Sequence, residues 1–239
     1  MKPARIILIR HAESEGNVDK SVYGRTPDYA LELSARGEQQ AAEAGQRLRE
    51  LVGTERVYAY VSPLWRTRHT FEHLAAALAP GQLRWREEPR VREQEWGHLR
   101  DLDECARTDA ARDAYGTFYF RIPDGESGAD VYDRVSDFFG TLHRDAEKAD
   151  FPENVLIVTH GMTLRLFLMR WFHWTVEEFE QVANPGNCQL VVLERQPGGK
   201  YRLATALRRH KVVHAFQRPL RLPPPDGEPE GAGVEMPAG

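Results

Sequence analysis

The stretch Arg5-Ile6-Ile7-Leu8-Ile9-Arg10-His11, near the start of the chain, decides the fold. Residues 6–9 form an unbroken, mostly β-branched apolar run, which is typical of a strand that is buried on both faces. Residues 155–158 (Val-Leu-Ile-Val) form a second such run, and they lead directly into Thr159-His160-Gly161. In open α/β sheets, ligands bind at the carboxyl ends of parallel strands. We therefore expect the two histidines to meet in one crevice.

The chain has 239 residues and no Ser/Gly-rich linker or charge block, which favours a single domain over residues 1–222. Residues 223–239 are rich in Pro, Gly and Glu and poor in apolar groups, so they are expected to be disordered. The formal net charge of -4 argues against a nucleic-acid partner. Only five of the 32 basic residues are lysines, so a lone arginine is weak evidence of a binding site.

The cysteines and histidines give no sign of a disulfide or a metal site. Cys105 and Cys188 lie far apart without a CxxC pair, as in a reduced chain with buried thiols. His69 and His73 have the i, i+4 spacing of helical metal ligands, but a third ligand is not evident. The N-terminus leads straight into a strand, and no apolar run reaches about 18 residues. We expect a soluble, cytoplasmic protein with no membrane association, and its oligomeric state is left open.

Strand-like and helix-like patterns alternate along the rest of the chain. Ser34 is a candidate N-cap for a helix to about Leu51, and Pro63 suits the first turn of a helix that ends near Leu78. The pattern also predicts helices over 129–148 and 162–172, and strands over 57–61, 189–193 and 201–206. Residues 98–122 are charged and then aromatic, and we expect irregular helices there that form a lid or an insertion. This order predicts an α/β fold, a three-layer α/β/α sandwich with a mostly parallel central sheet.

The polar residues near the predicted strand ends suit a phosphate group. A phosphate monoester carries about -1.5 to -2 charges at neutral pH, and guanidinium groups bind such an anion best. Arg10 and Arg66 both lie near strand ends, and a helix beginning at Gly161 adds N–H donors and the positive end of its dipole. A neutral imidazole is a competent nucleophile, so it can attack phosphorus to give a phosphohistidine. The leaving alkoxide then needs a proton, and Glu93 is the candidate donor.

These residues resemble the motifs of the histidine phosphatase superfamily, also called phosphoglycerate-mutase-like. Arg10-His11-Ala12-Glu13-Ser14-Glu15-Gly16-Asn17 is similar to the first signature, with Ala12 where glycine is usual. The other matching segments, in the order of the family, are Leu33-Ser34-Ala35-Arg36-Gly37 with Gln40-Ala41, Ser62-Pro63-Leu64-Trp65-Arg66-Thr67, Glu93 with Gly97, Gly125-Glu126-Ser127 and Thr159-His160-Gly161-Met162. The resemblance covers residues 5–165, and its motifs are specific in combination.

The resemblance implies a metal-independent enzyme that needs no cofactor. His11 would be the phosphorylated nucleophile and Glu93 the proton donor. Arg10, Arg66 and His160 would form the phosphate pocket, which Asn17 and the amide of Gly161 would help to complete. We expect Gly24, Ser62 and Met162 to contribute to the same substrate or phosphate site. The first interpretation is therefore a phosphomonoester hydrolase that acts on a small molecule, and a phosphoprotein substrate also fits this chemistry.

Three alternatives stay open. Glu95 lies two residues after Glu93 and is a second candidate for the acid. A phosphoglycerate-mutase-type phosphotransferase is the alternative enzyme, although residues 93–97 lack the arginine and histidine usual in mutases and residues 98–122 carry no adjacent arginine pair. A non-catalytic phospholigand-binding or scaffold protein on the same fold is the alternative from another class, since fold alone does not imply activity. Retention of both histidines, both arginines and Glu93 argues against it.

Overall fold

The structure, a computed structural model, describes residues 2–97 and 102–210. Its strands are β1 (Arg5–Arg10), β2 (Val57–Val61), β3 (Leu83–Glu87), β4 (Asn154–Thr159), β5 (Leu190–Arg195) and β6 (Tyr201–Leu203). They form one sheet in the order β3-β2-β4-β1-β5-β6. The pairings from β3 to β1 are parallel, whereas β5 and β6 add antiparallel at one edge. The sheet is therefore mostly parallel, as predicted.

Helices cover both faces of this sheet. The α-helices in the described residues are α1 (Glu15–Val18), α2 (Ala35–Val52), α3 (Trp65–Ala76), α4 (Leu102–Tyr115), α5 (Gly128–Ala146), α6 (Gly161–Phe172) and α7 (Val176–Gln181). Ser34 accepts a hydrogen bond from the amide of Gly37 and caps α2, as its position predicts. Helices α2 and α3 lie on one face and α5 and α6 on the other, so the three-layer α/β/α architecture is confirmed.

The first strand shows why both faces need a cover. Successive strand side chains point to opposite faces, so Ile6 and Leu8 join the core under α5 and α6, while Ile7 and Ile9 join the core under α2 and α3. All four side chains are fully buried. Burial of a side chain of this size stabilises the fold by about 1.5–3 kcal/mol. An unbroken apolar run is thus what a central strand of this fold requires.

The register of β1 and β4 places the two histidines together. Arg10 is the Cα partner of Thr159 in the parallel ladder, so His11 and His160 both follow at the same edge of the sheet. The amide of His11 donates to the Thr159 carbonyl at 2.9 Å and carries the pairing one residue further. The predicted crevice at the strand ends is therefore present.

Some local expectations are corrected. Helix α3 begins at Trp65, so Pro63 precedes the helix and does not occupy its first turn. Within the stretch 98–122, residues 102–115 form one regular helix, α4, instead of irregular helices. Residues 98–101 and the tail over 223–239 lie outside the described residues, so those predictions are not addressed there.

The sequence predicts two buried thiols, but only that of Cys188 is buried. Cys105 is half-buried on α4, because this side of the helix faces a cavity. Among residues 2–97 and 102–210, no helix has the length and the apolar composition needed to cross a membrane.

Candidate active site

A cavity of about 320 Å³ opens at the carboxyl ends of β1 and β4. Five of the residues predicted from the sequence line it: Arg10, His11, Asn17, Arg66 and Glu93. Helix α4 forms part of its wall through residues 104–109, and the turn over residues 122–124 closes another side. The cavity thus brings the predicted nucleophile, the two arginines and the predicted acid together.

His11 is held as a neutral imidazole with one free nitrogen. Its Nδ1 lies 2.7 Å from the carbonyl oxygen of Ala12. A carbonyl only accepts hydrogen bonds, so Nδ1 carries the proton and Nε2 keeps its lone pair. Burial, and after it the charges of Arg66 and Arg10, holds the pKa of His11 well below 6.5. The ring is therefore a nucleophile that needs no base to deprotonate it.

His160 lies beside His11, with 5.1 Å between the ring centroids. Its Nε2 is 2.8 Å from the hydroxyl of Ser62, and its buried Nδ1 has no hydrogen-bond partner among the described residues. Burial is the main cause that lowers the pKa of His160 well below 6.5, followed by the charge of Arg66. If Ser62 donates to Nε2, Nδ1 carries the proton. His160 is fully buried and, unlike His11, does not line the cavity. Ser62 is fully buried and does not line the cavity, so it contacts His160 from the protein interior.

The two arginines are fixed by different partners. Arg10 donates from Nη1 to the carbonyl of Pro185 at 3.0 Å, while its buried Nε has no partner within residues 2–97 and 102–210. Burial lowers the pKa of Arg10, and Glu93 is the nearby charge that most opposes this shift. Arg66 is almost completely buried and donates to the carbonyl of Asp28 at 2.7 Å and to its carboxylate at 3.2 Å. An internal carboxylate thus already lies against the guanidinium that would bind phosphate.

Glu93 and Glu95 have different surroundings. Glu93 is half-buried and lines the cavity of His11, whereas Glu95 is exposed and lines only a neighbouring cavity. The Oε1 atom of Glu93 accepts from the amide of Gln94 at 3.0 Å. This bond favours Oε2 as the oxygen that would carry an acidic proton. The geometry supports Glu93 over Glu95 as the acid.

Asn17 is oriented by its neighbours. Its Oδ1 accepts from the amide of Ser14 and from Nδ2 of Asn187, both at 3.2 Å. The side-chain nitrogen of Asn17, Nδ2, is thereby left as the donor available to the cavity. Asn187 also donates to the carbonyl of His11 at 2.9 Å, so it bonds to both His11 and Asn17. The sequence analysis missed Asn187, whose place before Cys188 in a polar loop gave no signal.

The remaining predicted residues lie at varying distances from the chemistry. Gly24 lines the neighbouring cavity of about 360 Å³, whose wall shares Tyr23, Asp28 and Glu93 with the first. Gly161 begins α6, where a Cβ would come within 2.9 Å of the Asn184 side chain. Met162 is buried, with its sulfur 3.9 Å from Nη2 of Arg112. None of these three lines the cavity of His11 in the part of the chain that the structure describes, and their roles in binding stay predictions.

The two helical histidines are engaged in pairs with carboxylates. His69 contacts Glu32 at 2.7 Å, and His73 pairs with Glu38. In residues 2–97 and 102–210, no group of three or more His, Cys, Asp or Glu side chains is arranged to hold a metal ion. His69 and His73 therefore lie on one face of α3, which bonds to Glu32 before α2 and to Glu38 within it.

Comparison with known proteins identifies the family. Residues 6–206 match the model of the histidine phosphatase superfamily (branch 1), and the chain belongs to that superfamily. It is 44% identical over 215 residues to the phosphoglycerate mutase-like protein AT74 of Arabidopsis thaliana, covering 84% of this chain and 68% of the relative. It is 28% identical over 300 residues to the broad-range acid phosphatase DET1 of Saccharomyces cerevisiae, covering 86% and 90%.

Solved structures agree on the fold. The mycobacterial glucosyl-3-phosphoglycerate phosphatase superposes with a TM-score of 0.69 at 22% identity, covering 86% of this chain and 99% of that one. The resemblance stated from the motifs is thus confirmed. The superfamily and these relatives support an enzyme of the phosphatase or mutase type.

Proposed function

We propose that this protein is a phosphomonoester hydrolase that acts through a phosphohistidine on His11, with Glu93 as the proton donor. One observation carries the proposal. The bond from Nδ1 to the carbonyl of Ala12 leaves Nε2 of a neutral His11 free, in the cavity that Arg10, Arg66 and Glu93 also line. A nucleophile, two cations and an acid in one cavity are the groups that a phosphoryl transfer with a covalent intermediate needs.

The first step transfers the phosphoryl group to the protein. Nε2 of His11 attacks phosphorus with its lone pair, the P–N bond forms and the ester P–O bond breaks. The departing alkoxide takes the proton of Glu93, so an alcohol leaves and Glu93 becomes a carboxylate. Arg10 and Arg66 stabilise the charge on the phosphoryl oxygens, and the neutral His160 adds a hydrogen bond from Nδ1.

The second step returns the enzyme to its starting state. A water molecule attacks phosphorus and gives its proton to the carboxylate of Glu93, which now acts as a base. The P–N bond breaks, its electron pair returns to Nε2 of His11, and inorganic phosphate leaves. All the positive charge in this scheme comes from side chains and backbone donors, so the reaction needs no metal ion or cofactor.

Substrate recognition follows from the same groups. Arg10, Arg66 and His160 bind the phosphate, and Asn17 and the amide of Gly161 add donors. Gly24, Ser62 and Met162 would support the site from its margins, Ser62 through its bond to His160. A small phosphorylated molecule is the expected substrate, a phosphoprotein is the alternative, and the expected location is the cytoplasm.

Hydrolysis is favoured over mutase activity by the segment after Glu93. Residues 93–97 lack the arginine and histidine usual in mutases, and two of the similar proteins named above are called phosphatases. The name of the plant relative keeps a phosphoglycerate mutase as the second candidate. A non-catalytic binding protein would not need a free Nε2 beside an acid, so the geometry at His11 speaks against that class.

Trapping the intermediate tests the proposal. Purified protein is mixed rapidly with a panel of phosphomonoesters, quenched without acid and digested, and the peptide that contains His11 is examined by mass spectrometry. We expect phosphate on His11 and release of inorganic phosphate, and His11→Ala should keep less than about a hundredth of the activity. His69→Ala, a helix-face histidine, is the matched control and should stay active. Conversion of 3-phosphoglycerate to its isomer without net phosphate release would instead identify a mutase.

A further inference from the structure

The segment that carries Glu93 lies outside the strands of the sheet, yet its backbone is held at four consecutive residues. The carbonyls of residues 90–93 all accept hydrogen bonds from buried or half-buried side chains. We call this set of bonds the carbonyl clamp. A short irregular segment normally has a mobile backbone, because its polar groups bond to water. The clamp replaces that water with fixed side-chain donors.

Arg134, on α5, supplies most of the carbonyl clamp. Its Nη1 donates to the carbonyl of Arg90 at 2.6 Å and to that of Arg92 at 2.9 Å, and its Nη2 donates to the carbonyl of Glu93 at 3.0 Å. The remaining two N–H groups donate to Glu126, from Nε and Nη2, both at 3.0 Å. A guanidinium has five N–H donors, so every one is used. A lysine has three donors and cannot reproduce this set.

Two threonines complete the carbonyl clamp from the side of His160. Thr159, the residue before His160, donates to the carbonyl of Val91 at 2.6 Å. Thr163, in the first turn of α6, donates to the carbonyl of Arg92 at 2.6 Å and lies 3.3 Å from Oε1 of Glu93. The strand and helix that position His160 therefore also hold the backbone next to Glu93.

From these contacts we propose that Arg134 is a positioning residue that places the carboxyl of Glu93 for proton transfer to the leaving group. This inference rests on the proposed function, in which Glu93 is the acid. Arg134 does not line the cavity of His11, so it acts through the backbone of residues 90–93 and not on the phosphate. A displacement of about 1 Å at a reacting group can cost roughly 10²-fold in rate. Loss of the clamp should therefore slow the step that needs the acid and spare the step that does not.

The test uses two leaving groups in single-turnover experiments on the full chain. An alkyl phosphate needs a proton donor, whereas p-nitrophenyl phosphate releases a stable phenolate without help. We expect Arg134→Lys to slow release of the alkyl alcohol by about 10- to 100-fold and release of p-nitrophenol by less than about 3-fold. Arg121→Lys is the matched control, because Arg121 pairs with Asp130 on the exposed surface. It should leave both rates unchanged.

Three further measurements separate positioning from a general loss of structure. Glu93→Gln is measured beside Arg134→Lys, and the double variant should be no slower on the alkyl phosphate than Glu93→Gln alone. Two outcomes would overturn the role of Arg134: a double variant in which the rate losses of the two single variants multiply, or an equal loss on both substrates in Arg134→Lys. If Arg134→Lys does not fold, Thr163→Val replaces it and should give the same contrast in smaller size, with rescue in Thr163→Ser. If Glu93→Gln itself gives no contrast between substrates, Glu93 is not the acid, and this inference fails with that assignment. The hydrolase itself is overturned separately, by the absence of phosphate on His11.

Discussion

The proposed phosphate pocket (Arg10, His11, Arg66 and His160) and the proposed acid segment (residues 90–93) are built by different means. His11 and His160 follow directly from neighbouring parallel strands, and the ladder between β1 and β4 fixes their spacing. Glu93 follows a single-turn 3₁₀ helix (Pro89–Val91) between β3 and α4, and the side chains of Arg134 and two threonines bond to the backbone there. Main-chain pairing between strands therefore fixes the two histidines, whereas side chains from distant parts of the sequence hold the segment of Glu93.

This difference has a functional meaning. In the proposed reaction the phosphate pocket handles a group that every substrate shares, so a rigid frame suits it. In the same proposal the acid segment would face the part that differs between substrates, and its Glu93 lines both the main cavity and the neighbouring one. Changes in the phosphate pocket should therefore affect all substrates alike, whereas changes in the acid segment should depend on the leaving group.

The largest effect is expected from Glu93→Gln. General acid–base catalysis is worth about 10²–10⁴ in rate, so release of an alkyl alcohol should slow by that factor. Release of p-nitrophenol should slow much less, because that leaving group departs without a proton. The measurement is the single-turnover rate with each substrate, since the later hydrolysis of phosphohistidine also needs Glu93 as a base and would mask the contrast under steady-state conditions.

Glu95→Gln is the matched control for that experiment. Glu95 is exposed and does not line the cavity of His11, so its loss should change neither rate by more than a few-fold. A contrast between leaving groups in Glu95→Gln and none in Glu93→Gln would exchange the two assignments.

In the phosphate pocket, the next largest effect is expected from Arg66→Ala. Removal of one preorganised donor to a developing charge costs about 10²–10³ in kcat. The loss should be equal for alkyl and p-nitrophenyl phosphates, because both present the same phosphoryl group. Arg68→Ala, two residues further along α3, removes a half-exposed arginine that pairs with Glu87 and should have little effect. Similar losses from Arg66→Ala and Arg68→Ala would contradict the assignment of the pocket.

The pocket was predictable from the sequence because its information is local. The apolar runs at 6–9 and 155–158 predict central strands, and the residue that follows each strand must then lie at the ligand-binding edge. The motif glycines also have local causes. At Gly37, a Cβ would lie 2.0 Å from the carbonyl of Glu13, so only glycine lets α2 approach the loop after β1 so closely. Gly97 has a φ of +61°, and a Cβ there would lie 2.2 Å from the carbonyl oxygen of Pro123, so this position also requires glycine.

The support of the acid segment was not predictable, because it depends on contacts between residues distant in sequence. Arg134 lies 41 positions from Glu93, and nothing in the segment itself predicts that its carbonyls bond to a guanidinium. One signal was present: Arg134 stands between Val131 and Val135 on the buried side of α5, where an arginine needs a partner. Asp28 gave no such signal, because a polar loop is its ordinary setting, and yet it is the partner of Arg66.

The smallest expected effect concerns stability and depends on how dry the pocket is. Burial, with Arg66 and Arg10 nearby, lowers the pKa of His11 well below 6.5 in the folded protein, whereas the unfolded chain should protonate this histidine near its reference pKa of about 6.5. Below that pH the unfolded state binds more protons than the folded state, so the free energy of unfolding should fall as the pH falls. A single such histidine contributes about 1 kcal/mol to the loss between pH 7.5 and pH 5.5. His11→Asn removes the titrating group, so the free energy of unfolding of this variant should fall less over this interval than that of the wild type, by about this amount.

Urea unfolding at both pH values, in a buffer without phosphate or another oxyanion that could bind the pocket, measures the difference. An equal loss in the two proteins would mean that His11 is hydrated and protonates normally in the folded protein.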